Sequence, residues 1–170
     1  MRLRISLSGE TGSLRVPIQY NHLLQGLIYH NLDRALSKWL HEEGHAYGAR
    51  RFKLFTFSRL FGKRETQNGR ITFGGPVHFY LASVDAQVLG SLAQHLLTRP
   101  TVRLGSARCR VAEVAVEPEP EIDVAKPVIV KALSPITTYS TLHTADGAKK
   151  TYYYAPQERE WSEALVSNLG

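Results

Sequence analysis

Alternation of apolar and polar residues opens the chain and predicts its first strand. From Arg2 to Leu7 every second side chain is apolar, as in a strand with one buried face. Runs rich in β-branched and aromatic residues predict further strands at residues 53–60, 70–73, 77–82, 102–104 and 108–116. Because residues 70–73 and 77–82 flank a Gly-Gly-Pro sequence, we expect these two strands to pair as a hairpin.

Apolar residues spaced three and four apart predict the helices. A helical pattern begins after Pro17, and Asp33 is expected to cap a second, shorter helix that stops near Gly44. Ser83 and Asp85 open another predicted helix, which the next proline closes. The order strand, helix, strand, strand, helix, strand is that of a ferredoxin-like α+β domain.

A change of composition predicts a domain boundary. Residues 117–127 hold three prolines and four acidic residues, which is typical of a linker. Strands are predicted beyond it at residues 128–133 and 151–154, followed by a helix that begins at Pro156. We therefore predict a first domain at 1–117, a linker at 118–127 and the first part of a second domain at 128–170.

Composition excludes several classes of protein. The chain has 170 residues and a single cysteine, so it has neither an intrachain disulfide framework nor a cysteine-rich zinc site. Its start lacks the apolar run of a signal peptide, and no stretch approaches the ~18 apolar residues of a membrane span. These features predict a soluble, cytoplasmic protein.

Positive charge is concentrated in one part of the chain. Between Gly44 and Gly75 seven basic residues stand against one acidic residue, and this local excess equals the net charge of +6 of the whole chain. Such a local excess is suited to a polyanion, because neutralising phosphates releases their counterions. The predicted phosphate contacts within it are Arg50, Arg51, Arg59, Lys63 and Arg64.

Three residues beside or within this basic stretch could carry chemistry. Tyr29 and His41 precede it by a few helical turns, and Lys53 lies inside it. Histidine titrates near neutral pH and suits proton transfer, lysine supplies a cation, and tyrosine is a poor base unless a neighbouring cation lowers its pKa. The pattern alone also fits core packing for Tyr29, a helix C-terminal role for His41 and a solvated charge for Lys53.

Residues 41–45 match the zinc-protease motif His-Glu-x-x-His. In that motif both histidines bind zinc from one helical face. Here Gly44 lies inside the motif, so we expect the helix to end before His45 and predict no metal site.

At four separated places the sequence resembles a known family. The blocks are VPIQYNHLLQGLIYHNL at 16–32, WLHEEG at 39–44, KLFTFSRLFG at 53–62 and ALSPITTY at 132–139. They are similar, in order and spacing, to the CRISPR-associated repeat-cleaving endoribonucleases, the sixth-numbered Cas family of the RAMP superfamily. This resemblance implies tandem ferredoxin-like domains and metal-independent cleavage of CRISPR repeat RNA without a cofactor. It also implies that Tyr29, His41 and Lys53 form the catalytic set.

The resemblance has one departure and leaves alternatives open. The family's glycine-rich loop near the C-terminus has no counterpart here, so we expect a C-terminally truncated second domain and weak RNA binding with little turnover. A non-catalytic RAMP-type RNA-binding subunit of a CRISPR effector complex is the main alternative. A generic RNA-recognition fold that stacks bases on Phe55 and Phe57 is another, although packing suits both rings better. Membership of an effector complex and formation of a homodimer stay open.

Overall fold

A computed structural model describes residues 1–48, 50–123, 125–129, 132, 136–144 and 146–169, and at residues 47, 50, 168 and 169 it describes the backbone alone. The first unit of the fold contains strands β1 (Arg2–Gly9), β2 (Ser13–Pro17), β3 (His45–Tyr47), β4 (Arg50–Phe52), β5 (Phe55–Phe57), β6 (Arg64–Gln67), β7 (Arg70–Gly74), β8 (Val77–Ser83), β9 (Thr101–Leu104) and β10 (Ala107–Glu117). Its helices are α1 (Asn21–His30), α2 (Arg34–Glu42) and α3 (Ala86–Thr98). The second unit contains β11 (Tyr139–His143), β12 (Lys149–Tyr153) and α4 (Arg159–Leu169). The two compact units are Met1–Glu121 and Ile122–Gly170.

The main sheet of the first unit has the ferredoxin-like strand order. Its five strands lie in the order β5-β8-β1-β10-β9, and every neighbouring pair is antiparallel. Helices α1 and α2 connect β1 to β5, and α3 connects β8 to the β9–β10 pair. This is the βαββαβ arrangement with β9 added at one edge, so the predicted α+β class is confirmed.

One face of this sheet carries the core. Leu3, Ile5 and Leu7 of β1 are buried, and Ile5 lies opposite Phe79 of β8. Apolar side chains of α1 and α3 join them, and burying each one contributes roughly 1.5–3 kcal/mol. Among the described residues, every buried hydrophobic side chain lies between Leu3 and Val111.

The predicted hairpin of residues 70–73 and 77–82 is wrong. Strand β7 pairs with β2 and β6 in a separate three-stranded sheet, whereas β8 joins the main sheet beside β1 and β5. Gly75 has a φ of 109°, which only glycine adopts readily, and the chain changes sheets there. The alternation of apolar and polar residues indicates which face of a strand is buried, but it does not specify the neighbouring strand. The pattern of β7 is therefore as compatible with pairing to β2 as with pairing to β8.

The predicted strand at residues 53–60 is shorter than expected. Only Phe55–Phe57 forms β5, because Leu54 has a φ of 51° and interrupts the extended backbone. The strands β2, β3, β4 and β6 were not predicted.

Both predicted caps are present. Asp33 accepts hydrogen bonds from the backbone N–H groups of Ala35 and Leu36 at the start of α2. Asp85 accepts one from Gln87 N–H at the start of α3.

The second unit holds one hairpin and one helix within its described residues. Strand β12 overlaps the predicted strand 151–154, and its partner β11 was not predicted. Half of the predicted strand 128–133, at residues 130, 131 and 133, lies outside the described residues, and residues 128, 129 and 132 are not in a strand. None of the helices in the described part of the chain is long and apolar enough to cross a membrane.

Candidate active site

Tyr29, His41 and Lys53 come together where helix α2 ends. Tyr29 lies near the end of α1 and His41 lies in the last turn of α2. The centroids of their rings are 6.2 Å apart, with the planes nearly perpendicular. The Lys53 Nζ donates a hydrogen bond of 2.9 Å to the backbone carbonyl of His41. The fold thus places a phenol, an imidazole and an ammonium group around one helix end.

Tyr29 is held by packing and stays protonated. Its ring is half-buried against the core and meets Phe55 edge-on at 5.8 Å. The Ser37 hydroxyl donates to the Tyr29 carbonyl at 3.0 Å and so ties α2 to α1. Burial raises the pKa of the Tyr29 hydroxyl above its ordinary value, and at neutral pH the group is a hydrogen-bonding phenol. To act as a base, this tyrosine would need a pKa lowered by a neighbouring cation, whereas its pKa is raised.

His41 presents its imidazole to solvent. The side chain forms no hydrogen bond or ion pair with any described residue, and its ring contact is with Tyr29. His41 is the basic residue in the last turn of α2, as the helix C-terminal role requires, and the Lys53 ammonium group binds a carbonyl at the same negative end. An unoccupied imidazole at this position can exchange protons with a bound molecule.

Gly44 makes the close approach of Lys53 to α2 feasible. Its φ is 63°, and a Cβ there would lie 2.7 Å from the Phe52 carbonyl oxygen and 3.3 Å from Lys53 Nζ. A glycine just after a helix is a common stop signal, and the sequence pattern predicts only that role for Gly44. The structure shows in addition that only glycine fits at this position without displacing its neighbours.

An open cleft of about 500 Å³ adjoins this cluster. Tyr29 and His41 line it, whereas Lys53 reaches the cluster through the His41 carbonyl. The other lining residues are His30, Leu32, Arg34, Ser37, Lys38 and Glu42. Cationic side chains thus border the exposed imidazole.

The predicted phosphate contacts have free cationic groups where their side chains are described. Arg51, Arg59, Lys63 and Arg64 are exposed, and no carboxylate of a described residue lies within 4.0 Å of them. They lie on β4, after β5 and around the start of β6. For Arg50 the structure describes only the backbone, in β4, and its side chain lies outside the described part.

The His-Glu-x-x-His match does not lie on one helix. Helix α2 ends at Glu42, and after Gly44 the second histidine, His45, belongs to β3. Its Nε2 lies 3.5 Å from Asp85 Oδ2. Within the described ranges, no group of three or more His, Cys, Asp or Glu side chains could hold a metal ion.

Solved structures of the same fold come from CRISPR-associated and RAMP proteins. One, described as "CRISPR associated protein Cas6", is 28% identical with a TM-score of 0.73 over 99% of this chain and 68% of its own. Another, "Characterization of a Cas6-related gene from Pyrococcus furiosus", is 21% identical with a TM-score of 0.75 over 98% and 67%. A third, "An RAMP protein binding different RNA substrates", is 18% identical with a TM-score of 0.68 over 98% and 68%. These likenesses place the chain in a fold shared by CRISPR-associated and RAMP proteins.

Two family models narrow the class. The model of the Cas6 N-terminal domain matches residues 15–115, and the model of the Cas6 C-terminal domain matches residues 117–170. This chain belongs to the Cas6 family. The two matches are consistent with a tandem ferredoxin-like arrangement. No curated protein matches the sequence.

Proposed function

We propose that this protein is a metal-independent endoribonuclease that cuts precursor CRISPR RNA within its repeats and releases mature guide RNAs. The observation that carries the proposal is the exposed imidazole of His41 beside the phenol of Tyr29 and the ammonium group of Lys53. The catalytic residues would lie in a first domain of residues 1–117, joined by a linker at 118–127 to the first part of a second ferredoxin-like domain at 128–170.

The cluster supplies a proton donor, a cation and a hydrogen-bonding phenol for the reaction, and solvent takes the proton of the nucleophile. The 2′-hydroxyl of the RNA attacks the adjacent phosphorus, its proton passes to solvent, and the bond from phosphorus to the 5′-oxygen breaks. His41 in its protonated form donates a proton to the departing 5′-oxygen. Lys53 stabilises the negative charge that develops on the phosphorane, and Tyr29 orients the 2′-hydroxyl as a neutral hydrogen-bonding group. The products are a 2′,3′-cyclic phosphate and a free 5′-hydroxyl.

Exposed cations would hold the RNA around this cluster. Arg51, Arg59, Lys63 and Arg64 lack acidic partners among the described residues, so their charge is available to phosphates. Arg50 is proposed with them from its position in the sequence.

Cleavage by the protein of the complete reading frame tests the proposal. A synthetic RNA of the host's CRISPR repeat should be cut in EDTA, and its upstream product should carry a cyclic phosphate, one water lighter than the linear phosphate. A single 2′-deoxy sugar 5′ of the scissile bond should abolish cutting and leave binding unchanged. Loss of cutting in EDTA with recovery on adding zinc or magnesium would overturn the metal-independent mechanism.

Substituting the proposed proton donor separates chemistry from binding. His41→Ala should slow single-turnover cleavage about 10²–10⁴-fold with a similar Kd for the 2′-deoxy RNA. His22→Ala, an exposed histidine on α1, is the matched control and should cleave normally. A normal rate for His41→Ala would remove His41 from the mechanism.

A non-catalytic RNA-binding subunit is the second candidate. It is motivated by the fold that this chain shares with the neighbour described as "An RAMP protein binding different RNA substrates". Tight binding of repeat RNA without any cleavage by the complete protein would support this candidate over the enzyme.

A further inference from the structure

The residue that follows Lys53 has a backbone conformation that leucine rarely adopts. Leu54 has a φ of 51°, in the left-handed region, where the Cβ of an L-residue crowds the backbone. Its side chain is 40% exposed, so core packing does not explain the conformation. A contact from elsewhere in the fold must stabilise this turn, which directs Lys53 towards α2.

Ser83 supplies that contact. Its hydroxyl donates a 2.7 Å hydrogen bond to the Leu54 carbonyl, and the side chain is nearly fully buried. The same oxygen accepts a 3.0 Å bond from Asp85 N–H, so the hydroxyl has both a donor role and an acceptor role. Ser83 is the last residue of β8 and lies opposite Phe55 in the pairing with β5. The turn at Leu54 is thus fastened to the rigid central sheet.

A second contact lies two residues further along, at Asp85. It involves His45, near the start of the segment between His41 and Lys53. His45 Nε2 lies 3.5 Å from Asp85 Oδ2, and the Trp39 ring meets the His45 ring edge-on at 4.9 Å. Asp85 is itself immobilised as the N-cap of α3. The β3–β4 pair thus lies between two such contacts: Asp85 is beside His45 at its start, and Ser83 bonds Leu54 two residues after its end.

We propose that Ser83 is a positioning residue for the cleavage reaction. Through the Leu54 carbonyl it holds the left-handed turn that places the Lys53 ammonium group on the His41 carbonyl. The Asp85–His45 contact supports the opposite end of the same segment. This inference rests on the proposed function and adds to it a buried residue that touches neither RNA nor the reacting atoms.

The test compares rate with affinity in the protein of the complete reading frame. With a labelled synthetic repeat RNA, Ser83→Ala should lower the single-turnover rate by about 10- to 100-fold, the scale expected of a misplaced catalytic group. The Kd for the 2′-deoxy RNA should stay within about twofold of wild type, because the phosphate contacts are unchanged. An unchanged rate would overturn the proposal.

A matched serine controls for lost stability. The Ser58 hydroxyl also bonds the backbone of this part of the fold, to Tyr80 N–H at 2.9 Å and to the Arg59 carbonyl at 2.8 Å, without touching Leu54. Ser58→Ala should lower the melting temperature as Ser83→Ala does and keep the wild-type rate. If both variants slowed cleavage in proportion to their lost stability, Ser83 would be merely structural.

A rescue variant tests the route through Leu54. Asparagine adopts the left-handed conformation more readily than leucine, so Leu54→Asn in the Ser83→Ala background should recover a large part of the rate. A double variant as slow as Ser83→Ala would overturn that route. If the wild-type protein cut no RNA, the proposed function would fail first, whereas an active wild type with a normal Ser83→Ala rate would overturn only the positioning role.

Discussion

At the scale of single residues, the candidate site depends on a glycine as much as on its titratable groups. Gly44→Ala would place a methyl group 2.7 Å from the Phe52 carbonyl oxygen in addition to straining the left-handed backbone. We expect it to lower the free energy of unfolding by more than about 2 kcal/mol and to displace Lys53, slowing cleavage. Urea unfolding and single-turnover cleavage of the repeat RNA measure the two effects.

Gly12 provides the comparison for this prediction. Its φ is 78°, but a Cβ there would meet nothing within 4 Å. Gly12→Ala should therefore cost only the backbone strain, about 1 kcal/mol, and leave the rate unchanged. Equal losses in the two variants would show that the contact with Phe52 and Lys53 has no effect.

Tyr29 leads to a prediction about pH. Burial raises the pKa of its hydroxyl, so the neutral form persists up to and beyond the ordinary pKa of a tyrosine, and deprotonation does not contribute near neutrality. Tyr29→Phe should slow cleavage by roughly tenfold, with the same ratio to wild type at about pH 6 and about pH 9. A ratio that grew steeply across this interval would indicate that the phenolate acts as the base.

At the scale of elements, Arg51 of β4 and Arg64 of β6 have no carboxylate of a described residue within 4.0 Å, whereas the arginines of β1 are paired with glutamates. Arg4 pairs with Glu113 at 3.1 Å and with Glu117 at 3.2 Å, and Arg2 lies 3.6 Å from Glu117. Two arginines without an acidic partner among the described residues can thus be compared with two that are paired with glutamates. This comparison tests which arginines bind phosphate.

The double variant Arg51→Ala with Arg64→Ala should weaken repeat-RNA binding and reduce the slope of log K against log salt by up to about 2, since each phosphate contact contributes nearly one unit. Arg2→Ala with Arg4→Ala changes the net charge equally and should leave that slope nearly unchanged. Binding of the 2′-deoxy RNA across a salt series measures both. Equal slopes in the two double variants would contradict the assignment of RNA contacts to β4 and β6.

At the scale of the whole molecule, stability is concentrated in the first unit. All buried hydrophobic side chains of the described residues lie between Leu3 and Val111. Residues 1–121 alone should therefore fold in a single cooperative transition with most of the stability of the chain, and residues 122–170 alone should not. Thermal unfolding followed by circular dichroism measures this. A fragment 1–121 that failed to fold would show that its core needs the second unit.

What the sequence by itself determined was local. Alternation in β1, the spacing of apolar residues in α1 and α3, and the caps Asp33 and Asp85 follow from short-range geometry, and the structure has them. The grouping of Tyr29, His41 and Lys53 was expected from the resemblance, and it arises from nearby elements.

Only the tertiary structure decided which strands pair and how Lys53 is held. The alternation of apolar and polar residues in β7 is compatible with pairing to β8, yet β7 pairs with β2. Strand pairing depends on packing between residues far apart in the sequence, which the periodicity of a single strand does not encode. The bond from Ser83 to the Leu54 carbonyl joins residues 29 positions apart, and the left-handed turn it stabilises contradicts the intrinsic preference of leucine. Because a contact of this kind forms only when the chain has folded, no local sequence pattern predicts it.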